Sequence, residues 1–165
     1  MKSNAVANLY EDTETFNRVA GNLYHDSILD SGIPNQLKVI LSEVQELKEG
    51  IETNNLVESV DGCIDVLVTV FGMMQKLEVL YGVDFTKACE LVAANNLEKY
   101  IHAALPDSRE IVERTVQMYE DKGEPVKVVY NEYYQSFLFL DSNGKVRKPF
   151  GFTPVNLAEC IPTRH

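Results

Sequence analysis

Two neighbouring segments of the sequence carry carboxylates at the spacing of one helical face. Glu43 and Glu46 lie in the first segment, and Glu58, Asp61 and Asp65 lie in the second. At about 100° per residue, the last three fall within roughly 60° of one another on a helical wheel, and the first two are about 60° apart. Neither stripe contains a lysine or arginine. Converging carboxylates repel one another, and Mg²⁺ prefers oxygen ligands of this kind. The sequence therefore predicts a magnesium site.

The surroundings of the second acidic segment support this interpretation. From Leu56 to Met74, apolar side chains cover almost all of the helix outside the acidic stripe. A helix that is apolar on nearly every side is usually buried, and a buried carboxylate needs a partner or a bound cation. The alternative is that the acids form the solvated edge of a surface helix. We expect Glu49 and Glu52 to be solvated in this way, because they rotate towards the outer face of their helix.

Five helices are predicted, and two of them carry the acids. The second helix is expected from Pro34 to about Gly50 and the third from Leu56 to about Tyr81, each with the apolar spacing of a helical face. Because the polar turn between them is short, these two helices should pack antiparallel and bring the acidic stripes together. The other helices are expected over about 13–24, from 84 towards 100, and from 106 to 123.

After Pro125 the pattern changes from helical spacing to strand spacing. Apolar and aromatic residues alternate with others at Val126, Val128, Tyr130, Phe137 and Phe139. Asn143-Gly144 is the strongest short hairpin signal, because both positions of a type I′ turn need positive φ. The predicted fold is mainly α, an antiparallel bundle of about five helices with a small C-terminal β-hairpin. We expect one domain, with a helical metal-binding catalytic body over 1–123 and the hairpin appendage over 124–165.

The overall charge limits the class of partner. The 165 residues carry a formal net charge of -10, which repels nucleic acid backbones and anionic membrane surfaces. Three distant cysteines suggest neither a disulfide framework nor a zinc site, and no segment resembles a signal peptide or a membrane span. We therefore expect a soluble, cytoplasmic protein that binds neither polymeric nucleic acid nor a membrane. A small phosphorylated substrate stays compatible, because a bound divalent cation reverses the local field.

The two acidic segments also resemble a known family. The sequences SEVQELKEG and LVESVDGCIDVLVTVFG are similar to the ExxE and ExxD motifs of the MazG-like, phosphoribosyl-ATP-pyrophosphohydrolase-like superfamily. This resemblance implies an all-α, oligomeric, Mg²⁺-dependent enzyme, with Mn²⁺ as a substitute ion, that hydrolyses nucleoside triphosphates, (d)NTP, to (d)NMP and pyrophosphate. Glu43 and Glu46 match the first motif, and either Glu58 with Asp61 or Asp61 with Asp65 matches the second. The sequence departs from the fuller pattern at Ser42 and Gly62, where glutamates are expected.

The resemblance extends to candidate residues for catalysis and substrate binding. Glu43 or Glu46 is expected to accept the proton of the attacking water. The segments VDFTKACELVAANNLEKY and DSNGKVRKPFGFTPVNL resemble later parts of the family, and the first helix is expected to approach the nucleobase. The candidates for contacting phosphate or base are Asn95, Asn96, Lys99, Lys145, Lys148, Phe16 and Asn17. The structural alternatives are exposed helix-end residues for Asn96 and Lys99, edge-strand protection for the two hairpin lysines, and a core position for Phe16.

Two other functions are consistent with the same pattern. One is a phosphoribosyl-ATP pyrophosphohydrolase, which would share the metal site but bind a different nucleotide. The other is a non-catalytic helical oligomerisation or regulatory module with solvated acids. A homodimer or homotetramer is predicted in each case, because the second and third helices leave apolar faces that so small a bundle does not cover. His25 and His102 have no recognisable partners and are expected to be structural or solvent-facing.

Overall fold

The computed structural model describes residues 4–23 and 32–163. The helices are α1 (Asn4–Val19), α2 (Gly32–Glu52), α3 (Leu56–Tyr81), α4 (Phe85–Leu97) and α5 (Ser108–Asp121). The strands are β1 (Ile101–His102), β2 (Lys127–Asn131), β3 (Ser136–Leu140) and β4 (Val146–Arg147), and a 3₁₀ turn follows at Leu157–Cys160. The protein is mainly helical with a small antiparallel sheet, which confirms the coarse fold class that the sequence predicts.

The third helix has the predicted bounds, and its ends show why. Before α3, the Asn55 side-chain oxygen accepts the Glu58 backbone N–H at 3.3 Å, which caps one free donor of the first turn. After α3, Gly82 adopts a left-handed φ of 69° and its N–H donates to the Glu78 carbonyl at 2.8 Å. The first helix, by contrast, begins earlier than predicted, at Asn4. It also ends earlier than predicted, at Val19, and residues 20–23 form a turn. Tyr24, its predicted last residue, and His25 lie outside the described residues.

Contacts divide the chain into two compact units. The first comprises the chain up to Phe85 together with the segment from Cys160 onward, and the second comprises Thr86–Glu159. In the first unit, α2 packs along α3 and α1 packs on α3. The contact of α1 includes an edge-to-face pair of the Tyr10 and Phe71 rings at 5.1 Å. These units are defined by contacts alone and do not test the predicted division into a catalytic body over 1–123 and an appendage over 124–165. That division stays a prediction.

Strands β1 to β4 all lie in the second unit, and the prediction of a single C-terminal hairpin was wrong. β2 and β3 form a hairpin through residues 132–135, while the other edge of β3 pairs with β1 near its start and with β4 near its end. The two extra strands are two residues long, too short to show alternation in the sequence. The buried side of this sheet includes Phe139 and Ile101.

The Asn143-Gly144 turn is present, but it is not of the predicted type I′. It connects β3 to β4, and only Gly144 has a positive φ, of 77°. The Asp141 carboxylate accepts the backbone N–H groups of Asn143 and Lys145 at 3.0 and 2.9 Å. The pKa of Asp141 is lowered, first by the backbone N–H of Lys145, then by the backbone N–H of Asn143 and by the side-chain hydrogen bond and positive charge of Arg147. The side chain of Asp141 therefore fixes a longer loop with a single left-handed glycine.

Cys63, Cys89 and Cys160 are all free, and the first two are exposed. In residues 4–23 and 32–163, no helix combines the length and the hydrophobicity needed to cross a bilayer.

Candidate metal centre

Helices α2 and α3 are in close antiparallel contact, and this contact determines where each acid lies along the helix pair. A Cβ added at Gly62 would lie 2.8 Å from the Leu47 Cα, and one at Gly50 would lie 2.9 Å from the Ser59 backbone nitrogen. Only glycine permits backbones this near. At the other end of the contact, Gln36 Nε2 donates to the Thr69 carbonyl at 2.8 Å. All three contacts fit one register, in which Glu43 on α2 comes opposite Asp65 on α3.

Three of the predicted acids act electrostatically on a fourth, Glu43, in this register. The pKa of the half-buried Glu43 carboxyl is raised, first because burial removes water and then because the charges of Glu46, Asp65 and Asp61 repel its anion. Asp65 is also half-buried, whereas Glu46 and Asp61 are exposed. Glu46, Asp61 and Asp65 are therefore near enough to Glu43 for their charges to act on it, and Glu46 and Asp61 reach solvent.

Glu58 lies apart from these four. A Cβ at Gly50 would come 3.1 Å from the Glu58 Cβ, so Glu58 is at the end of the helix pair that is closed by the turn. Asp65 is seven residues further along α3, which is about 10 Å of helix. The Glu58 side chain is exposed, and its charge is not among those that raise the pKa of Glu43. Its role as a metal ligand stays a prediction.

The chemistry of the acidic face fits an oxygen-ligated divalent cation. Every donor is a carboxylate, and none of the ion pairs formed within residues 4–23 and 32–163 involves Glu43, Glu46, Glu58, Asp61 or Asp65. In that same part of the chain, no three side chains of His, Cys, Asp or Glu are close enough to hold an ion as they stand. The helix backbones thus bring the acids to one face, and the flexible side chains would have to turn inward to coordinate a cation.

The two candidates on α1 have different surroundings. Phe16 is exposed, whereas Asn17 is buried and its amide donates to Gln75 Oε1 at 3.1 Å. Gln75 in turn donates to the Tyr10 carbonyl at 2.9 Å, and the buried Lys76 ammonium donates to the Asn22 carbonyl. Burial lowers the pKa of Lys76. The sequence analysis did not single out Gln75 or Lys76, because their burial depends on a helix about sixty residues away in the chain.

The candidates in the second unit mainly make local contacts. The Asn95 side chain donates to the Thr153 carbonyl at 2.8 Å and to Glu98 at 3.0 Å, and it accepts the Val155 N–H at 3.3 Å. These bonds hold the segment that follows β4 against α4. The Lys99 ammonium donates to Asn96 Oδ1 at 2.7 Å.

The two hairpin lysines are exposed. Lys145 contributes its backbone N–H to the turn, and the Lys148 ammonium lies 5.1 Å from the centre of the Phe152 ring. The predicted roles of these five second-unit residues in substrate binding, like those of Phe16 and Asn17, stay predictions.

Comparisons with known proteins give no match: no family model, no curated protein and no solved structure is significantly similar to this chain. The MazG-like resemblance of the acidic segments therefore stays a prediction.

Proposed function

We propose that this chain is a Mg²⁺-dependent nucleoside triphosphate pyrophosphohydrolase of the MazG-like kind, which converts (d)NTP to (d)NMP and pyrophosphate. The observation that supports the proposal most directly is the shared acidic face of α2 and α3. There the charges of Glu46, Asp61 and Asp65 act on Glu43, and none of these four acids forms an ion pair with a cation among the described residues. A triphosphate with its magnesium is the kind of substrate that such a face recruits despite the acidic surface.

The acids have separate tasks in this reaction. Glu43, Glu46, Asp61 and Asp65 would hold the ion, and Glu58 would reach it from the turn end of the helix pair. When bound, magnesium supplies the positive charge that offsets the charge developing on the phosphates. A water attacks in line, the anhydride bond between the α- and β-phosphates breaks, and pyrophosphate leaves. Whichever of Glu43 and Glu46 is not a ligand accepts the proton of that water.

The exposed apolar side chains of the helix pair support a homodimer or homotetramer. On α2, Leu37, Leu41, Val44 and Ile51 recur at helical spacing, and each is more than two-fifths exposed. An exposed stripe of this length is typical of a surface that a second copy covers. A cytoplasmic enzyme acting on a diffusible nucleotide accords with the formal net charge of -10.

The test is release of pyrophosphate from a panel of canonical and modified nucleoside triphosphates in the presence of Mg²⁺. We expect turnover by the wild-type chain and a loss of about 100-fold or more in Asp65→Asn and Glu46→Gln. The matched control is Glu49→Gln, because Glu49 is on the same helix but exposed and bonded to Gln45. This variant should keep wild-type activity.

Two outcomes would contradict or redirect the proposal. If a folded wild-type protein releases no pyrophosphate from any nucleotide, the helix pair is a non-catalytic oligomerisation or regulatory module. If turnover is confined to phosphoribosyl-ATP, the same site serves a phosphoribosyl-ATP pyrophosphohydrolase.

A further inference from the structure

The second unit contains a cavity of about 570 Å³ that the acidic face does not involve. Its volume is within the range of roughly 300–1,000 Å³ that is usual for small-molecule sites. Its lining includes the side chains of His102, Asn131 and Ser136. The sequence analysis gave none of them a role in function.

Strand register places these three side chains in one row. Ser136 on β3 is directly opposite His102 on β1 and, at its other edge, directly opposite Asn131 on β2. Directly paired residues project from the same face of a sheet, and neighbouring strands are about 4.8 Å apart. The order across the row is therefore His102, Ser136, Asn131.

Local hydrogen bonds determine what each member of the row can offer a ligand. Asn131 Oδ1 accepts the Tyr134 N–H at 3.1 Å, which leaves the amide NH₂ as a donor. His102 Nδ1 accepts the Ala104 N–H at 3.2 Å, so the proton of the neutral ring is on Nε2, a second donor. The Ser136 hydroxyl donates to the Tyr134 carbonyl at 2.9 Å and keeps its lone pairs. The row thus presents donor, acceptor, donor.

The other residues that line the cavity indicate what shape of ligand it would accept. Two tyrosines and two leucines complete the wall: Tyr100, Tyr134, Leu97 and Leu138. Aromatic and branched side chains of this kind favour a flat ring. Because none of the described residues that line the cavity is Asp, Glu, Lys or Arg, the site suits a neutral ligand rather than a phosphate.

We propose that this cavity binds a neutral, planar heterocycle through an imide edge, in which an N–H is flanked by two carbonyl groups. An imide presents acceptor, donor, acceptor, which is the complement of the row formed by His102, Ser136 and Asn131. Uracil-type rings carry this edge. The site lies wholly within the second unit, so the proposal goes beyond the pyrophosphohydrolase and does not depend on it.

The test uses isothermal titration calorimetry on the full chain with three nucleosides, in buffer containing EDTA. Uridine has the imide edge, 3-methyluridine has its central N–H blocked, and cytidine has a different order of donors and acceptors. We expect uridine to bind and the other two to bind at least about tenfold more weakly, as when a polar group of a site is left unpaired. No heat from uridine at millimolar concentration, or equal affinity for all three, overturns the proposal.

A matched pair of variants assigns the binding to the row. Asn131→Asp keeps the oxygen that accepts the Tyr134 N–H but replaces the donor with an acceptor, so uridine should bind at least about tenfold more weakly. Asn156→Asp is the control, because Asn156 Oδ1 similarly accepts a backbone N–H, that of Ala158 at 3.1 Å, on an exposed residue that does not line the cavity. Equal affinities for the two variants overturn the proposal. Since uridine has no phosphate and no metal is present, the result is independent of the pyrophosphate assay.

Discussion

The two halves of α3 differ in what they expose and what they bury. In the first half, Leu56, Val57 and Val60 are 77%, 75% and 57% exposed, beside the acids of the candidate metal centre. In the second half, Gln75 and Lys76 are only 1% and 6% exposed. Apolar side chains outside and polar side chains inside invert the usual pattern. The first half therefore leaves apolar side chains and acids at the surface of the chain, whereas the second half stabilises the single chain.

The buried polar side chains of the second half are all hydrogen-bonded. Gln75 connects Asn17 to the Tyr10 carbonyl, and Lys76 donates to the Asn22 carbonyl. Among the described residues, no buried side-chain nitrogen or oxygen lacks a hydrogen-bond partner. A buried polar group that is fully paired costs little, but it permits only one arrangement of its partners. These bonds consequently fix where α1 lies on α3.

The largest effect is expected from comparing Asp61, which belongs to both possible registers of the second acidic motif, with Glu58, which belongs to only one of them. Asp61 contributes to the repulsion at Glu43, and Glu58 does not. In the pyrophosphate assay, Asp61→Asn should lose activity by about 100-fold or more, while Glu58→Gln should lose at most about tenfold. Far-UV circular dichroism of both variants controls for folding. A greater loss in Glu58→Gln would place the metal at the turn end of the helix pair instead.

In the second half of α3, substitution should change the stability of the fold. Gln75→Leu keeps similar volume but removes the bond that Gln75 accepts from the Asn17 amide and the bond that it donates to the Tyr10 carbonyl, so it should lower the free energy of unfolding by about 1–3 kcal/mol. Urea denaturation followed by circular dichroism measures this change. The control is Gln45→Leu on the exposed face of α2, where Gln45 bonds only Glu49 and a change within about 0.5 kcal/mol is expected. Equal stabilities of the two variants would show that the buried network contributes nothing.

The sequence predicted best those parts of the structure that depend on residues close together in the chain. The helix pair and the shared side of Glu43, Glu46, Asp61 and Asp65 were predictable, because helical spacing and a short turn determine both. The separate position of Glu58 could not be predicted, since a helical wheel gives the angle of a residue around the helix axis but not its position along the partner helix. That position along the helix pair is determined by the close contacts at Gly50 and Gly62.

Long-range contacts account for what the sequence could not predict. The burial of Gln75 and Lys76 requires α1, which is distant in the chain. The row of His102, Ser136 and Asn131 requires the register of three strands, one of which has only two residues. The C-terminal pattern predicted strands at about the right positions, but it could not show that β3 has partners on both edges.

The exposed apolar side chains of the first half of α3 lead to a prediction about assembly. If a second copy covers them, the double variant Val57→Gln, Val60→Gln should lower the molar mass measured by light scattering after size-exclusion chromatography. Helix content should not change, because both side chains are exposed. Val19→Gln is the matched control, since Val19 is a valine that is 85% exposed on α1. A wild-type monomer, or an unchanged mass in the double variant, would contradict the prediction.

The smallest effect concerns the pH dependence of the acidic face without metal. Because the folded-state pKa of Glu43 is raised, the folded protein binds this proton more tightly than the unfolded chain. The associated stability is present below the unfolded pKa and is lost as pH rises through the folded value. Glu43→Gln should therefore melt slightly above wild type at pH 7 in EDTA, and the difference should vanish towards pH 4. Added Mg²⁺ should reverse the order at pH 7, because only the wild type keeps all four carboxylates. If the variant melts below wild type at pH 7 in EDTA, the four acids do not repel one another across the helix pair.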